Sequence, residues 1–457
     1  MTICERRSKM PVTAEQLYAW RLRPETCERL LPPWLHIRLA ERPTAVEDGS
    51  RVVADVGRGP LRRSWVTRYK DSIPGRRLVG EQVKGPFARW QHTQLFVPDD
   101  DGSWLEDRVE YALPLGAVGR LAGGGLAAAR LRRLFAFQHR RTGDDLNRHQ
   151  TVAGRPRLRV AISGSSGLIG NQLAALLAGG GHEVLRLVRR APAATDEVAW
   201  DPARGALDVR DLQGIDAFVH LAGANIAAGR WTPARKRMIL ESRTRGTDMV
   251  ARSLARLDKP PVLIVASAIG LYGDRGDEAL SEQSDAGAGF LSDVCRQWEA
   301  AAEPAVAAGL RVAWVRSGIV LTSRGGVLAR MLPPFRLGAG AQLDGGRQWM
   351  SWISLDDLLG VYHHLLFADD LSGPVNATAP HAVTNREFTH VLAGVLRRPA
   401  MARLPAMAVR RLYGEMGQEL LLAGQRVLPA RLTERGYDFL HPDLESALRF
   451  ELGRLRE

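Results

Sequence analysis

The sequence has 457 residues, of which 45% are hydrophobic and 25% charged, and its formal net charge is +13 at pH 7. A chain of this length is too long for one hydrophobic core and predicts two or three domains. Its composition is that of a globular protein and excludes a fibrous or largely disordered one. The three cysteines, Cys4, Cys27 and Cys295, lie too far apart to predict a disulfide framework or a metal site, and they favour a reducing cytoplasm.

The positive charge raises the question of nucleic-acid binding, because clustered Lys and Arg release counterions from phosphate. The basic residues are mostly Arg and are scattered along the chain, and the densest group, 130–159, lacks interleaved aromatic residues that would stack on bases. We therefore predict no nucleic-acid partner. The N-terminus has no apolar run typical of a secretory signal, and the most apolar region, 115–131, is interrupted by Arg120 and Arg130, so no membrane association is predicted.

Residues 1–147 mix helical and strand-like patterns. Alternation of polar and apolar side chains predicts strands at RRSWVTRY, RWQHTQLF and LEDRVEYALPL, and residues 119–146 predict a long amphipathic helix. A curved antiparallel sheet packed against one helix makes an α+β domain. The polar segment 148–157, with Gly154 and Pro156, predicts a linker.

From Val160 onward, short apolar runs alternate with helix-length segments. The runs are RVAISG, HEVLRLVRR, DAFVHLAG, PVLIVASA and RVAWVRSGIVL. Apolar strands separated by helices predict an α/β fold with a doubly wound parallel sheet over residues 158–374. Residues 375–457 contain a predicted helix at 385–396 and several Leu-rich segments, and they predict a small C-terminal domain.

The segment ISGSSGLIG predicts a dinucleotide site. Gly164, Gly167 and Gly170 form GxxGxxG between a predicted strand and a predicted helix, where glycine allows a tight turn and the approach of backbone N–H groups to a pyrophosphate. The next strand ends at Arg189 and Arg190, where an NAD-binding fold would have an acidic residue on the adenosine ribose. Paired guanidiniums suit a 2′-phosphate and predict NADP over NAD; the alternative is two surface arginines in an Arg-rich chain.

The strand DAFVHLAG is predicted to end beside the cofactor. Leu221, Ala222 and Gly223 are small or apolar enough for a dinucleotide to lie across the sheet edge, and Arg243 on the following helix could reach the crevice. The alternatives are an ordinary buried strand and an arginine on a helix surface.

Five motifs, GSSGLIG, HLAG, SRTRGT, SAIGLYG and SWISLDD, together resemble the extended short-chain dehydrogenase/reductase superfamily, and in particular its atypical epimerase-family branch. The resemblance covers residues 159–452 and implies a Rossmann-type sheet, NADP as cofactor, and a C-terminal domain that completes the substrate side. We also place Leu168, Ile169 and Val320 among the cofactor-binding residues. Residues 1–147 resemble, more weakly, the START-like (SRPBCC) helix-grip domains, which implies an apolar ligand in a cavity.

The superfamily pattern implies a Ser, a Tyr and a Lys that act together on the substrate oxygen. Ser267 takes the Ser position, but Leu291 and Cys295 take the positions of Tyr and Lys. Because leucine transfers no proton and a thiol carries no fixed positive charge, the usual hydride-transfer mechanism is not predicted. Tyr272 is the remaining candidate proton donor, or else a tyrosine that packs its loop; without a neighbouring cation its pKa would stay near about 10. Cys295 is interpreted as buried and inert rather than as a reactive thiol.

Near SWISLDD, the resemblance places Trp349 in the substrate pocket, whereas helix capping explains Asp356 and Asp357. No metal is predicted. The sequence thus predicts a cytoplasmic, NADP-binding, short-chain dehydrogenase-like protein. Its function is either a reductase or epimerase on a small organic or nucleotide-sugar substrate, or a non-catalytic NADP-binding sensor coupled to an apolar-ligand domain.

Overall fold

The computed structural model describes residues 1–41, 45–57 and 59–455. The chain forms two compact units. The first comprises Met1–Arg155 with Ala175–Gly181 and Arg449–Glu457, and the second comprises Pro156–Ala174 and His182–Leu448. Within the described ranges, no helix is long and apolar enough to cross a membrane.

The first unit is built around one antiparallel sheet. Its strands are β1 (Thr2–Met10), β2 (Ile37–Leu39), β3 (Arg51–Val56), β4 (Arg63–Ile73), β5 (Arg77–Lys84), β6 (Arg89–Asp99) and β7 (Gly102–Ala112), and its helices are α1 (Ala14–Leu22), α2 (Thr26–Arg29) and α3 (Gly116–Gln150). The seven strands have the order β1-β7-β6-β5-β4-β3-β2. Side chains of β7 alternate between buried and more exposed positions, as expected of a strand with one face on a core. This confirms the START-like α+β fold.

The predicted long helix is present as α3, but it is longer than predicted. It has 35 residues and continues to Gln150, so the segment predicted as a linker begins in helix and only 151–157 lacks regular structure. Phe135 and Leu146 of α3 lie in two different apolar clusters of the first unit. The helix therefore packs along the sheet over several turns, which explains why it does not end where the apolar pattern fades.

The remaining strands lie in the second unit, as do the remaining helices apart from the C-terminal parts of α4 and α14. The strands are β8 (Arg159–Ser163), β9 (Glu183–Val188), β10 (Glu197–Asp201), β11 (Ala206–Leu207), β12 (Ala217–His220), β13 (Val262–Ala268), β14 (Ala279–Leu280), β15 (Val312–Ser317), β16 (Ile319–Leu321), β17 (Ala341–Leu343), β18 (Trp349–Met350), β19 (Trp352–Ser354), β20 (Gly373–Ala377), β21 (Val383–Thr384), β22 (Ala402–Leu404) and β23 (Arg426–Val427). The helices are α4 (Leu168–Gly179), α5 (Pro233–Leu254), α6 (Phe290–Ala300), α7 (Glu303–Ala307), α8 (Gly326–Arg336), α9 (Leu355–Phe367), α10 (Asn385–Leu396), α11 (Ala406–Tyr413), α12 (Glu415–Gly417), α13 (Ala430–Glu434) and α14 (Leu444–Glu451).

The central sheet of the second unit confirms the predicted Rossmann-type fold. Its order is β11-β10-β9-β8-β12-β13-β15-β20, and all neighbours are parallel except β10 and β11. The predicted boundary between residues 374 and 375 falls inside β20, which pairs with β15 along its whole length. Asn376 interrupts the apolar pattern of that strand, and for this reason the sequence did not mark it as part of the sheet.

The connections change direction beside β8. From β8 the chain runs outward through β9 and β10, and it then returns to β12 on the other side of β8 and continues through β13, β15 and β20. In open α/β sheets, ligands bind in the crevice at the carboxyl ends of the strands where the order reverses. The segments that begin at Gly164, after β8, and at Leu221, after β12, lie at this crevice.

Candidate functional site

The glycine-rich loop after β8 is held against the loop after β12 by backbone contacts that exclude a side chain. Gly164 has φ +73°, and a Cβ on it would lie 2.9 Å from the carbonyl carbon of Leu221. A Cβ on Gly170 would lie 2.3 Å from the carbonyl oxygen of Gly164. Both positions therefore require glycine, one for its conformation and both for close approach. The two predicted cofactor segments come together as the sequence indicated.

The first turn of α4 follows the glycine-rich loop directly. Leu168 and Ile169 are half-buried residues of that turn, and the first N–H groups of a helix have no acceptor within the helix. Val320 lies in β16, which leads to a turn that touches Leu168: a Cβ on Gly325 would lie 3.4 Å from Leu168 Cδ2. The helix N-terminus thus offers donors suited to a pyrophosphate.

The two arginines after β9 are both exposed but differ in their contacts. The guanidinium of Arg190 donates two hydrogen bonds to the Glu197 carboxylate, at 2.8 and 2.6 Å. Arg189 makes no hydrogen bond or ion pair with any described residue. The two arginines were predicted to act as a pair. In the structure Arg190 is bound by Glu197, and of the two only Arg189 is available for an anionic ligand.

Arg243 is part of the crevice rather than of a helix surface. Its Nη1 donates to the carbonyl oxygens of Ala224 and Ile239, at 3.1 and 3.0 Å, and its guanidinium lies 4.9 Å from the Trp298 ring centroid. A Cβ on Gly223 would lie 3.3 Å from Arg243 Cζ. Burial lowers the pKa of Arg243. The side chain thus supports the loop after β12.

Ser267 is the last residue but one of β13 and donates a hydrogen bond of 2.6 Å to Glu299 Oε1. The same carboxylate accepts two hydrogen bonds from Arg316, at 2.9 and 2.8 Å, and the side chains of Arg316 and Glu299 are only 9% and 15% exposed. Sequence reasoning missed this buried ion pair. Its one signal was the presence of a charged residue, Arg316, within the apolar run RVAWVRSGIVL.

Tyr272, the predicted proton donor, is enclosed by polar partners, and its role in proton transfer stays a prediction. Its hydroxyl donates to Asn376 Oδ1 at 2.7 Å and accepts from Arg316 Nη1 at 3.0 Å, and its side chain is fully buried. A neighbouring cation, Arg316, is therefore present, but burial outweighs its effect and raises the pKa of Tyr272. The adjacent Glu282, which accepts from the Asn376 N–H at 2.9 Å, also has a pKa raised by burial. Tyr272 is a member of a buried polar network.

Leu291 and Cys295, which take the Tyr and Lys positions, are buried on α6 against the turn that follows β13. A Cβ on Gly270 would lie 3.2 Å from Leu291 Cβ and 3.9 Å from Cys295 Sγ. Burial, reinforced by the nearby Glu299 carboxylate, raises the pKa of Cys295 to about 12. The thiol is therefore protonated at neutral pH, in agreement with the interpretation of Cys295 as inert.

The start of α6 is capped by a carboxylate that is distant in sequence. Gly289 occupies the N-cap position and supplies no side chain, and Glu419 instead accepts the N–H groups of Phe290 and Leu291 at 2.9 and 2.8 Å. Glu419 belongs to a short π-helical turn, Gln418–Leu422. No local pattern signals this contact. It attaches the C-terminal segment to the helix that faces the expected substrate end.

Trp349 lies in β18 and is held by two polar neighbours. Its Nε1 donates to Asp277 Oδ1 at 2.6 Å, and the Arg426 guanidinium lies 4.9 Å from its ring centroid. The structure thus brings Trp349 to the segment that follows Tyr272; its contact with a substrate stays a prediction. Within the described ranges, no group of three or more His, Cys, Asp and Glu residues is arranged to hold a metal ion.

The aspartate pair near Trp349 lies in the first turn of α9, where the helix dipole favours acidic side chains as predicted. The N-cap of α9 is Ser354, whose side chain accepts the Asp357 N–H. The Asp357 carboxylate accepts the N–H groups of Leu440 and His441, at 2.7 and 3.1 Å. Asp357 also accepts a hydrogen bond of 2.8 Å from the Ser354 hydroxyl, so it both takes part in the cap and fastens the C-terminal segment to α9.

Comparison with known proteins decides the family. The model of the "NAD dependent epimerase/dehydratase family" matches residues 160–377, a "Domain of unknown function (DUF1731)" matches 404–451, and "Polyketide cyclase / dehydrase and lipid transport" matches 10–135. The epimerase family protein Mb2239 of Mycobacterium bovis is 44% identical over 295 residues, which are 65% of this chain and 98% of that protein. The chain belongs to the epimerase family. The human epimerase family protein SDR39U1 is 35% identical over 296 residues, 64% of this chain and 99% of that protein.

One of the similar solved structures matches this epimerase family protein over nearly its whole length, and others match about two thirds of it. A nucleoside-diphosphate sugar epimerase from Corynebacterium glutamicum has a TM-score of 0.82 and 32% identity, covering 99% of this chain and 90% of that chain. Human SDR39U1, isoform 2, with NADPH has a TM-score of 0.59 and 33% identity, covering 65% of this chain and 100% of that chain. The Thermus thermophilus UDP-glucose 4-epimerase with NAD, at 17% identity, shows a shared fold alone. The epimerase family protein is thus a member of an NAD(P)-binding family.

Proposed function

We propose that the second unit binds NADP(H), with the pyrophosphate at the N-terminus of α4 and the adenosine 2′-phosphate beside Arg189. The observation that carries the proposal is the exposed Arg189 guanidinium, without an ion pair among described residues, at the end of β9. An NAD-specific fold has an acidic residue there. The structure of human SDR39U1 with NADPH supports the same cofactor.

Replacement of Arg189 by alanine is expected to weaken NADPH binding about 10-fold or more while leaving NADH binding unchanged, because a hydrogen bond to a charged group contributes about 1.5–3 kcal/mol. Arg190→Ala is the matched control. Arg190 is already paired with Glu197, so its removal should change the affinity for NADPH much less. Titration calorimetry with both cofactors measures the difference. Equal losses for NADPH and NADH in Arg189→Ala would reject the 2′-phosphate assignment.

We further propose that the bound cofactor serves a reductase or epimerase reaction on a small organic or nucleotide-sugar substrate, at the side of the nicotinamide bordered by Ser267 and Trp349. The description of the Corynebacterium glutamicum structure as a nucleoside-diphosphate sugar epimerase supports the nucleotide-sugar class. Because Tyr272 is enclosed and Leu291 transfers no proton, the proton would come from water or from the substrate itself. The enclosed Tyr272 and the inert Leu291 also favour the second candidate function, a non-catalytic NADP-binding sensor.

Substrate-dependent consumption of NADPH separates these two functions. We expect loss of absorbance at 340 nm when protein and NADPH are mixed with nucleoside-diphosphate sugars, their 4-keto forms or small carbonyl compounds. In Arg189→Ala the same reaction should need a higher NADPH concentration for half its maximal rate. If NADPH binds but neither its oxidation nor epimerisation occurs with any of these classes, the sensor function is the one supported.

A further inference from the structure

The first unit contains a cavity of about 190 Å³ between its sheet and α3. The lining residues come from α1, the α1–α2 region, β2 to β6 and α3. One group among them is aromatic and comprises Trp65, Trp90 and Phe135, and the rings of Trp65 and Trp90 meet edge to face at 5.2 Å. Another group is polar. A cavity with both kinds of wall suits a ligand that has an apolar body and a polar head.

The polar wall is a chain of hydrogen bonds that ends at one carboxylate. Arg21 Nε donates to Gln94 Oε1 at 2.9 Å, and Gln94 Nε2 donates to Asp107 Oδ1 at 2.8 Å. Asp107 also contacts the Nε2 atoms of His92, at 3.0 Å, and of His139, at 2.8 Å. Although burial opposes it, these contacts hold the pKa of Asp107 well below its usual range. Asp107 thus already has three partners and reaches Arg21 only through Gln94.

Arg21 therefore lacks a direct anionic partner. Its Nη1 is buried, and neither a hydrogen-bond acceptor for that atom nor a carboxylate within ion-pair distance is found among the described residues. The nearby Cys27 and Tyr69 are neutral at neutral pH, since burial raises the pKa of both, that of Tyr69 to about 12. An arginine does not deprotonate, and a buried cation without a direct partner is costly. Trp65 Nε1 is a second buried donor without an acceptor in the described chain.

We propose that this cavity binds a small apolar carboxylic acid, with its carboxylate on the Arg21 guanidinium and its apolar body against Trp65, Trp90 and Phe135. A purely apolar ligand would leave Arg21 without an anionic partner. We therefore expect the ligand of this domain to have an anionic group as well as an apolar body. A cavity of about 150 Å³ admits benzene. The present cavity therefore suits one ring or a short branched chain with a carboxylate, and not a long-chain lipid. The proposal is independent of the cofactor in the second unit.

The test compares phenylacetate with its neutral isostere phenylacetamide on the full-length protein, by titration calorimetry. We expect phenylacetate to bind at least about 10-fold more tightly, because a hydrogen bond between two charged groups is stronger than one to a neutral amide. Arg21→Gln should abolish this preference, and Arg21→Lys should retain part of it. Arg38→Gln, at an exposed position of β2, is the matched control and should leave the preference intact.

Circular dichroism and an unchanged urea-unfolding midpoint would show that the Arg21 variants are folded. Equal affinity for phenylacetate and phenylacetamide in the wild-type protein would overturn the proposal, and this comparison does not depend on any variant. A preference for phenylacetate that survives in folded Arg21→Gln would overturn the assignment of Arg21. Loss of NADPH binding in the second unit would leave the phenylacetate result unaffected, so the two proposals fail separately.

Discussion

Replacement of Gly170 by alanine is expected to raise the dissociation constant for NADPH about 100-fold, which corresponds to about 2.8 kcal/mol. The added Cβ would lie 2.3 Å from the carbonyl oxygen of Gly164 and 2.9 Å from Ser165 Cα. Both atoms are backbone atoms of the loop that is proposed to cradle the pyrophosphate, so the loop must move for the methyl group to fit. Overpacking of this kind costs about 1–3 kcal/mol by itself. Quenching of protein fluorescence by NADPH measures the change.

Gly394→Ala is the matched control for Gly170→Ala. Gly394 lies inside α10, and a Cβ there meets no atom within 4 Å. We expect unchanged NADPH affinity and a stability equal to or about 0.5–1 kcal/mol above that of the wild type, because alanine is the better helix former. If folded Gly170→Ala binds NADPH as tightly as Gly394→Ala does, the glycine-rich loop is not the cofactor site.

Replacement of Arg316 by methionine is expected to lower the free energy of unfolding of the second unit by about 3–5 kcal/mol. Methionine keeps most of the side-chain volume but removes both hydrogen bonds to Glu299 and the one to the Tyr272 hydroxyl. The Glu299 carboxylate, which is 15% exposed, would then retain only Ser267 as a donor in this network. The free energy of unfolding falls because the largely buried Glu299 carboxylate is left without its cation. Urea denaturation followed by circular dichroism gives the free energy.

Two variants test the explanation of that loss. Arg252→Met removes an exposed pair with Asp248 on α5 and should leave the unfolding midpoint unchanged. The double replacement Arg316→Met with Glu299→Gln should be more stable than Arg316→Met alone, because it no longer leaves a buried carboxylate without a cation. An unfolding midpoint of Arg316→Met equal to that of the wild type would show that the network does not stabilise the second unit.

The sequence predicted the elements whose signal is local. The glycine spacing at Gly164, Gly167 and Gly170 marked the turn after β8, and the helix predicted at 385–396 has those bounds in α10. Each of these two elements depends on residues that are close together in the sequence, so the local sequence is enough to predict the turn and the helix. The predicted boundary at residue 374 falls inside β20, because Asn376 is polar and only its pairing with β15 places it in the sheet.

The sequence by itself determined the fold class and the position of the glycine-rich turn after β8, because these follow from residue type and spacing. That Leu291 and Cys295 take the positions of the usual Tyr and Lys was implied by the resemblance to the superfamily. Only the tertiary structure decided that Glu197 occupies Arg190 and leaves Arg189 available, that Arg316 and Asn376 enclose Tyr272, and that Glu419 caps α6. These contacts join residues on different strands and helices. A polar side chain is active or enclosed according to partners that the fold brings from elsewhere in the chain, and neighbouring sequence does not contain them.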